Sequence, residues 1–285
     1  MLRKYLNRLY THLQDVIELV YLPMDKYSIR RTKNIVDIPR RLGRRGGKAA
    51  YGEWCHVVGI FQTLLQFHQP QAGDNDVLDV GCGTGLLAIA SDRVLGKGGR
   101  YLGIDVSSED IQFCQRHYTA DRFQFQHLSI HNQMYAPDQG QDRLRWDVAD
   151  ASFDMVTALS VWTHMNEGDA IFYFGEVDRV LKPGGRALIT FFLLDEHYEA
   201  NLSQIQAGQH QYHRAKRAWV FDQRLTENWY YPKWANVPEN AIGVTEQGLA
   251  QMLAGTSLHR VQTYPGTWKE QPGMYFQDVL IFEKR

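Results

Sequence analysis

The stretch Val77-Leu78-Asp79-Val80-Gly81-Cys82-Gly83-Thr84-Gly85 restricts the fold of this chain more than any other. An apolar strand carrying one acid runs into a turn with glycine at every second position, and an apolar helix follows from Leu86. Glycine lets the backbone turn tightly and lets a ligand approach with no Cβ in the way. Such a strand–turn–helix unit suits a nucleotide-like ligand at the carboxyl edge of a parallel sheet. Free N–H groups at the helix start favour an anion there. The dinucleotide fingerprint is G-x-G-x-x-G, whereas here the spacing is G-x-G-x-G with Leu86 next, which weakens a pyrophosphate reading.

The following segments alternate in the same way. Arg100 to Asp105 reads as a second strand ending in an acid about 20 residues past the loop, where a carboxylate can accept both hydroxyls of a ribose. Ser107-Ser108-Glu109-Asp110 reads as a helix start. Phe123–His127 forms a third strand leading into Leu128-Ser129-Ile130-His131-Asn132, and Ser152–Ser160 a fourth leading into Val161-Trp162-Thr163-His164-Met165. A helix over Ala170–Leu181 should end at Lys182-Pro183-Gly184-Gly185, which turns the chain into a buried strand over Ala187–Phe192.

The octet Leu78–Gly85 resembles motif I of the class I S-adenosylmethionine-dependent methyltransferases. The segments Ser160-Val161…Thr163-His164 and Arg179-Val180-Leu181-Lys182-Pro183-Gly184-Gly185 are similar to later parts of that family. The resemblance covers roughly residues 51 to 192, and the chain's last segments look like the tail of a small-molecule or glycan-type branch. It implies a doubly wound α/β fold: a mostly parallel, seven-stranded Rossmann-like sheet with helices on both faces. An antiparallel terminal hairpin would lie near 258–264 and 275–283. It also implies S-adenosyl-L-methionine as cofactor, with contacts from Asp79, Gly81, Cys82, Gly83, Gly85, Asp105, Val106, Leu128, Ser129 and Ser160. Ser129 stands where the family often has an acid against the adenine amino group, so backbone groups around Leu128 and Ser129 would replace that contact.

Outside this core three regions differ. Leu2, Leu6, Leu9, Leu13, Val16, Ile17 and Val20 form one helical stripe, expected to pack on the protein's own body or on a twin subunit in a homodimer. A membrane-surface helix is disfavoured because Asp15 and Glu18 mix with Arg3, Lys4 and Arg8 on the polar face. Residues 26 to 48 are strongly basic, with Asp37 as the only acid, and read either as a solvated segment or as a flap that attracts an anionic substrate. The division expected is an N-terminal helix and arm over 1–50 and a methyltransferase domain over 51–285, carrying an aromatic cap insertion at 195–240. The insertion is too long and too rich in Trp, Tyr and His for a plain connection, and is placed to roof the reacting groups. His210 and His213 read as polar members of that cluster, and no metal is expected.

A formal net charge of −1 supplies no global field for nucleic acid. Three cysteines, Cys55, Cys82 and Cys114, form no C-x-x-C pair, which fits a cytoplasmic protein better than a disulfide framework. No apolar run approaches the length of a membrane span. Methyl transfer needs donor and acceptor held in line and water excluded, and a hydroxyl acceptor must also lose a proton. His164 is the first choice of base, His131 the second, and Asp195 with Glu196 the third. The reading is methylation of a small organic acceptor, oxygen favoured. The alternatives are an RNA methyltransferase using the basic arm, a NAD-type oxidoreductase and a catalytically silent cofactor-binding subunit.

Overall fold

The computed structural model describes residues 2–45, 49–118, 121–129 and 143–285. Two helices come first, α1 (Leu2–Ser28) and α2 (Tyr51–His68). The buried positions of α2 are Trp54, Val57, Val58, Phe61, Leu64 and Leu65, an i, i+3, i+4 pattern that gives one apolar face. That face shares a core with Val77, Ile89, Tyr101 and Ile281.

The main sheet then forms from β1 (Val77–Val80), β2 (Tyr101–Asp105), β3 (Phe123–His127), β4 (Phe153–Ala158), β5 (Leu181–Phe191), β10 (Leu258–Tyr264) and β11 (Asp278–Lys284). Its order is β10-β11-β5-β4-β1-β2-β3. β11 runs antiparallel to both its neighbours, and the other pairings are parallel. This is the doubly wound α/β sheet with an antiparallel terminal hairpin that the sequence leads one to expect. β1 and β4 are buried at every residue, as central strands covered on both faces must be.

The crossover helices are α3 (Leu86–Ser91), α4 (Ser108–His117) and α5 (Glu167–Val180). Ser107 caps α4 by accepting from the Asp110 amide, and Asn166 caps α5 by accepting from that of Asp169. Between β5 and β10 lie β6 (Leu193–Leu194), α6 (Glu196–Gln206), β7 (Gln223–Arg224), β8 (Trp229–Tyr231), β9 (Gly243–Thr245) and α7 (Glu246–Leu253). The short strands build a second sheet, β6-β9-β8-β7, which periodicity could not show because each strand has only two or three residues.

Two expectations need correction. Lys182–Gly185 is not a turn before the strand: β5 already begins at Leu181, with Gly184 at φ 76° and a register shift opposite Phe153/Met155 absorbing the irregularity. The described part of the apolar stripe of α1, from Leu9 to Val20, does not pack on the body either. The helix is held by its polar side, through Glu18 with Arg44 (2.5 Å), Asp15 with Arg41 (3.6 Å) and Lys26 donating to the Ile38 carbonyl (2.5 Å). Leu13, Ile17 and Val20 are exposed.

Candidate active site at the carboxyl edge of the sheet

The glycine loop sits between β1 and α3 and is held largely by its own backbone. Gly81 and Cys82 both donate to the Ile104 carbonyl (2.8 and 3.1 Å), and Gly85 donates to that of Cys82 (2.9 Å). Gly83 donates to Asp105 Oδ2 at 2.7 Å. These four loop amides are therefore engaged within the protein and are not offered to an anion. Gly81, Gly83 and Gly85 all have positive φ, at 68°, 50° and 86°. A Cβ at Gly81 would meet Val161 at 2.5 Å, and one at Gly85 would meet Tyr118 at 2.4 Å. At Gly83 it would meet nothing within 4 Å. The loop is thus packed on both sides and open in the middle, at Gly83.

Asp105 ends β2 beside that opening. Its second oxygen accepts from the Ser107 amide at 2.8 Å. Burial raises its pKa, and the backbone donors of Ser107, Gly83 and Val106 oppose the rise. The carboxylate is therefore fixed in orientation, and each oxygen keeps acceptor capacity beyond the one amide it meets.

Asp79 corrects the sequence reading. It is 1 % exposed, its oxygens accept from Thr157 (2.9 Å) and Tyr101 (2.5 Å), and burial pushes its pKa up to about 7. It ties three strands together below the loop and does not reach a ligand. Cys82 is buried as well, so its share in a site is through its backbone. Leu128 donates its amide to the Asp105 carbonyl at 2.8 Å, which removes that group as an adenine contact. Ser129 is exposed, and Val106 is half-buried with its carbonyl bonded to His127 at 3.1 Å. His131 lies outside the described residues.

The loop after β4 faces the glycine loop through Val161. Ser160 has φ 62°, a conformation unusual for a side chain other than Gly, Asn or Asp. It is locked by its amide to Thr190 Oγ1 (2.7 Å) and by Gln277, whose Nε2 donates to Ser160 Oγ (2.9 Å). The Gln277 carbonyl oxygen is buried without a hydrogen-bond partner among the described residues. Gln277 is a site residue that sequence reasoning missed, because it lies 117 positions from the serine it holds. His164, four residues after Ser160, bonds through Nδ1 to the Glu239 carbonyl at 2.6 Å. A carbonyl only accepts, so Nδ1 carries the proton and the lone pair of the neutral ring is on Nε2. Ile242 donates to the Thr163 carbonyl at 2.7 Å, so the end of the insertion is clipped to this loop at two points.

This architecture is the one seen in known methyltransferases. A family model described as a methyltransferase domain matches residues 77–185. Residues 77–185 thus form a methyltransferase domain similar to those of the class I S-adenosylmethionine-dependent enzymes. The chain is 26% identical over 196 residues to an arsenite methyltransferase of Aquipseudomonas alcaligenes, covering 64% of this chain and 51% of the relative. It is 31% identical over 172 residues to a ubiquinone biosynthesis O-methyltransferase of Idiomarina loihiensis, covering 57% of this chain and 64% of the relative. It thus spans about half to two thirds of the curated relatives it matches. A solved S-adenosylmethionine-dependent methyltransferase from Mesorhizobium loti shares the fold, with a TM-score of 0.52 at 14% identity over 78% of this chain and 96% of that one. The family's cofactor is S-adenosylmethionine, and the open cradle at Gly83 beside Asp105 fits it.

Two other groups of sequence candidates have structural roles here. Asp195 caps α6 through Oδ1, accepting from the Tyr198 amide (3.0 Å), and holds Lys269 at 2.6 Å through Oδ2. Both oxygens of Asp195 are thus engaged, and Glu196 is exposed on the first turn of α6. His210 Nδ1 and His213 Nε2 each approach Glu270 Oε1 at 2.9 Å. The Ala215 amide donates to His213 Nδ1 at 3.1 Å, which puts the proton of the neutral ring on Nε2. Nε2 is buried without a hydrogen-bond partner among the described residues, and its atom lies with those of His210 and Glu270 within 4.8 Å of one another. Much of the insertion's aromatic content forms a separate core around Phe192, Tyr198, Phe221 and Trp268.

Proposed function

We propose that the protein methylates a small organic acceptor, oxygen favoured, with His164 as the general base. When bound, S-adenosylmethionine supplies a methyl group on a sulfonium, a leaving group that needs no acid. Asp105 would hold the ribose hydroxyls of that cofactor, and the loop around Gly83 would admit it closely. The loop after β4 would carry the acceptor side, with Ser160 and Gln277 as polar positions and His164 taking the proton of an acceptor hydroxyl on Nε2. The insertion, clipped to this loop through Glu239 and Ile242, would exclude water above it. An anionic acceptor suits the exposed Arg40, whereas Arg41 and Arg44 are engaged by Asp15 and Glu18.

The observation that carries the base assignment is the hydrogen bond from His164 Nδ1 to the Glu239 carbonyl, which fixes both the tautomer and the ring's orientation. The acceptor is first identified by mass spectrometry of cell extracts incubated with isotopically labelled donor, as the species gaining one methyl. His164→Asn should then lower kcat by roughly 10²–10⁴-fold, abolish the acid limb of the kcat profile and leave S-adenosylhomocysteine affinity intact. A variant with wild-type turnover and the same acid limb removes His164 from the chemistry.

A further inference from the structure

Helix α1 is docked the wrong way round for a helix in water. Between Leu9 and Ser28 its charged residues are Asp15, Glu18, Asp25 and Lys26, and all four lie partly buried on the body side. Glu18 is held by Arg44 Nη1 and Nη2 (3.1 and 2.5 Å) and by the Arg41 amide (3.1 Å). The outward face is apolar: Leu13, Ile17, Val20, Met24 and Tyr27 are 55, 55, 67, 66 and 78% exposed. A continuous apolar face of this kind, on a helix whose polar side is already occupied, marks an interaction surface.

The charges around this face identify what covers it. Arg30, Arg31 and Lys33 follow the helix and are exposed, with the Arg30 guanidinium 5.2 Å from the centre of the Tyr27 ring. The carboxyl end of the face is therefore cationic. A second copy would bring no exposed acid to these cations, because the acids between Leu9 and Ser28 are turned inward. An anionic lipid surface meets both requirements. The apolar face enters the boundary between headgroups and acyl chains, and the cations at its carboxyl end meet lipid phosphates. The acids that argue against membrane binding in the sequence are the ones that Arg41 and Arg44 remove from the outer face. No helix among the described residues is long and apolar enough to cross a membrane, so α1 would lie in the plane of the surface.

We propose that α1 docks the protein on an anionic lipid bilayer through the face bearing Leu13, Ile17, Val20 and Met24. Flotation of the full chain with unilamellar vesicles tests this, comparing phosphatidylcholine alone with phosphatidylcholine mixed with phosphatidylglycerol. The wild type should float with the anionic vesicles and be released as salt is raised. Leu13→Glu combined with Val20→Glu should weaken binding at least tenfold. Arg30→Ala combined with Arg31→Ala should weaken it about fivefold for each cation removed at low salt. Because the arginines are exposed, this second pair of substitutions tests the proposal even if the first disturbs folding, which the thermal unfolding midpoint reports for both. A wild type that stays out of the anionic vesicle fraction overturns the proposal. So does a stable dimer in sedimentation that Val20→Glu dissociates, which would assign the face to a second copy.

Discussion

Asp79 and Asp278 face the same problem on two sides of the sheet and meet it differently. Each is essentially inaccessible to water, at 1 and 0% exposure. Asp79 is answered by two hydroxyls, those of Thr157 and Tyr101, with no cation in contact among the described residues, and burial pushes its pKa up to about 7. Asp278 accepts from the amides of Leu193 (2.9 Å) and Gly266 (2.8 Å) and from Trp268 Nε1 (2.9 Å). It also pairs with the fully buried Lys269 at 2.9 Å, which in turn holds Asp195. The first acid joins neighbouring strands beneath a loop whose own backbone does most of the bonding. The second joins β6, the turn after β10 and α6, elements that lie far apart in the chain. The difference teaches that a buried acid can be answered by hydroxyls of neighbouring strands or by amides and a cation, and that only the second arrangement ties the elements it joins into an ionic knot.

That contrast can be broken by experiment. Lys269→Met leaves Asp278 and Asp195 without their cation, and should cost about 3–5 kcal/mol of stability in urea unfolding. A loss below about 1 kcal/mol would show that the amide donors alone satisfy Asp278. For Asp79 the sign is the reverse of an ion-paired acid. Its folded-state pKa lies above the unfolded value of about 3.9, so the native state binds the extra proton between about pH 4 and 7. The stability it contributes is present below about pH 4 and is lost as pH rises through about 7, by up to about 4 kcal/mol. Wild type minus Asp79→Asn, measured across that range, should isolate the slope. A difference that is flat, or that rises with pH, would place a cation near Asp79.

The smallest effect belongs to the cofactor contact itself. Asp105→Ala should weaken S-adenosylhomocysteine binding ten- to hundredfold, about 1.5–3 kcal/mol, by titration calorimetry. Because Gly83 also loses its carboxylate partner in this variant, Asp105→Asn sharpens the reading. It keeps an oxygen for the Gly83 amide and loses the charge-assisted bonds to ribose. Unchanged affinity in both variants would take Asp105 out of the site.

The glycine loop, Asp105 and the succession of the main strands along the chain were legible because each depends on residues close in sequence: a periodicity, a turn chemistry, an acid at a strand end. His164 was legible as a candidate for the same reason, since the loop after β4 lies at the carboxyl edge whatever surrounds it. Its tautomer was not, because Glu239 is 75 residues away. Asp79 was misread because a strand acid beside a glycine loop looks the same in sequence whether it faces a ligand or, as here, Tyr101 and Thr157.

The sequence alone determined the alternation of strands and helices and the glycine turn, and the resemblance it carries implied the terminal hairpin. Backbone propensity and burial pattern act over a few residues at a time and survive almost any surroundings. Only the tertiary structure decided that Lys269, Asp195 and Asp278 form one buried knot, that Glu270 receives two histidines, and that Gln277 holds Ser160. It also decided that α1 faces outward with its apolar side. Partner choice across many tens of residues is set by packing, and a helical stripe has no sign: periodicity reports that one side is apolar and the other charged, and the pairing with Arg41 and Arg44 settles which side meets the protein.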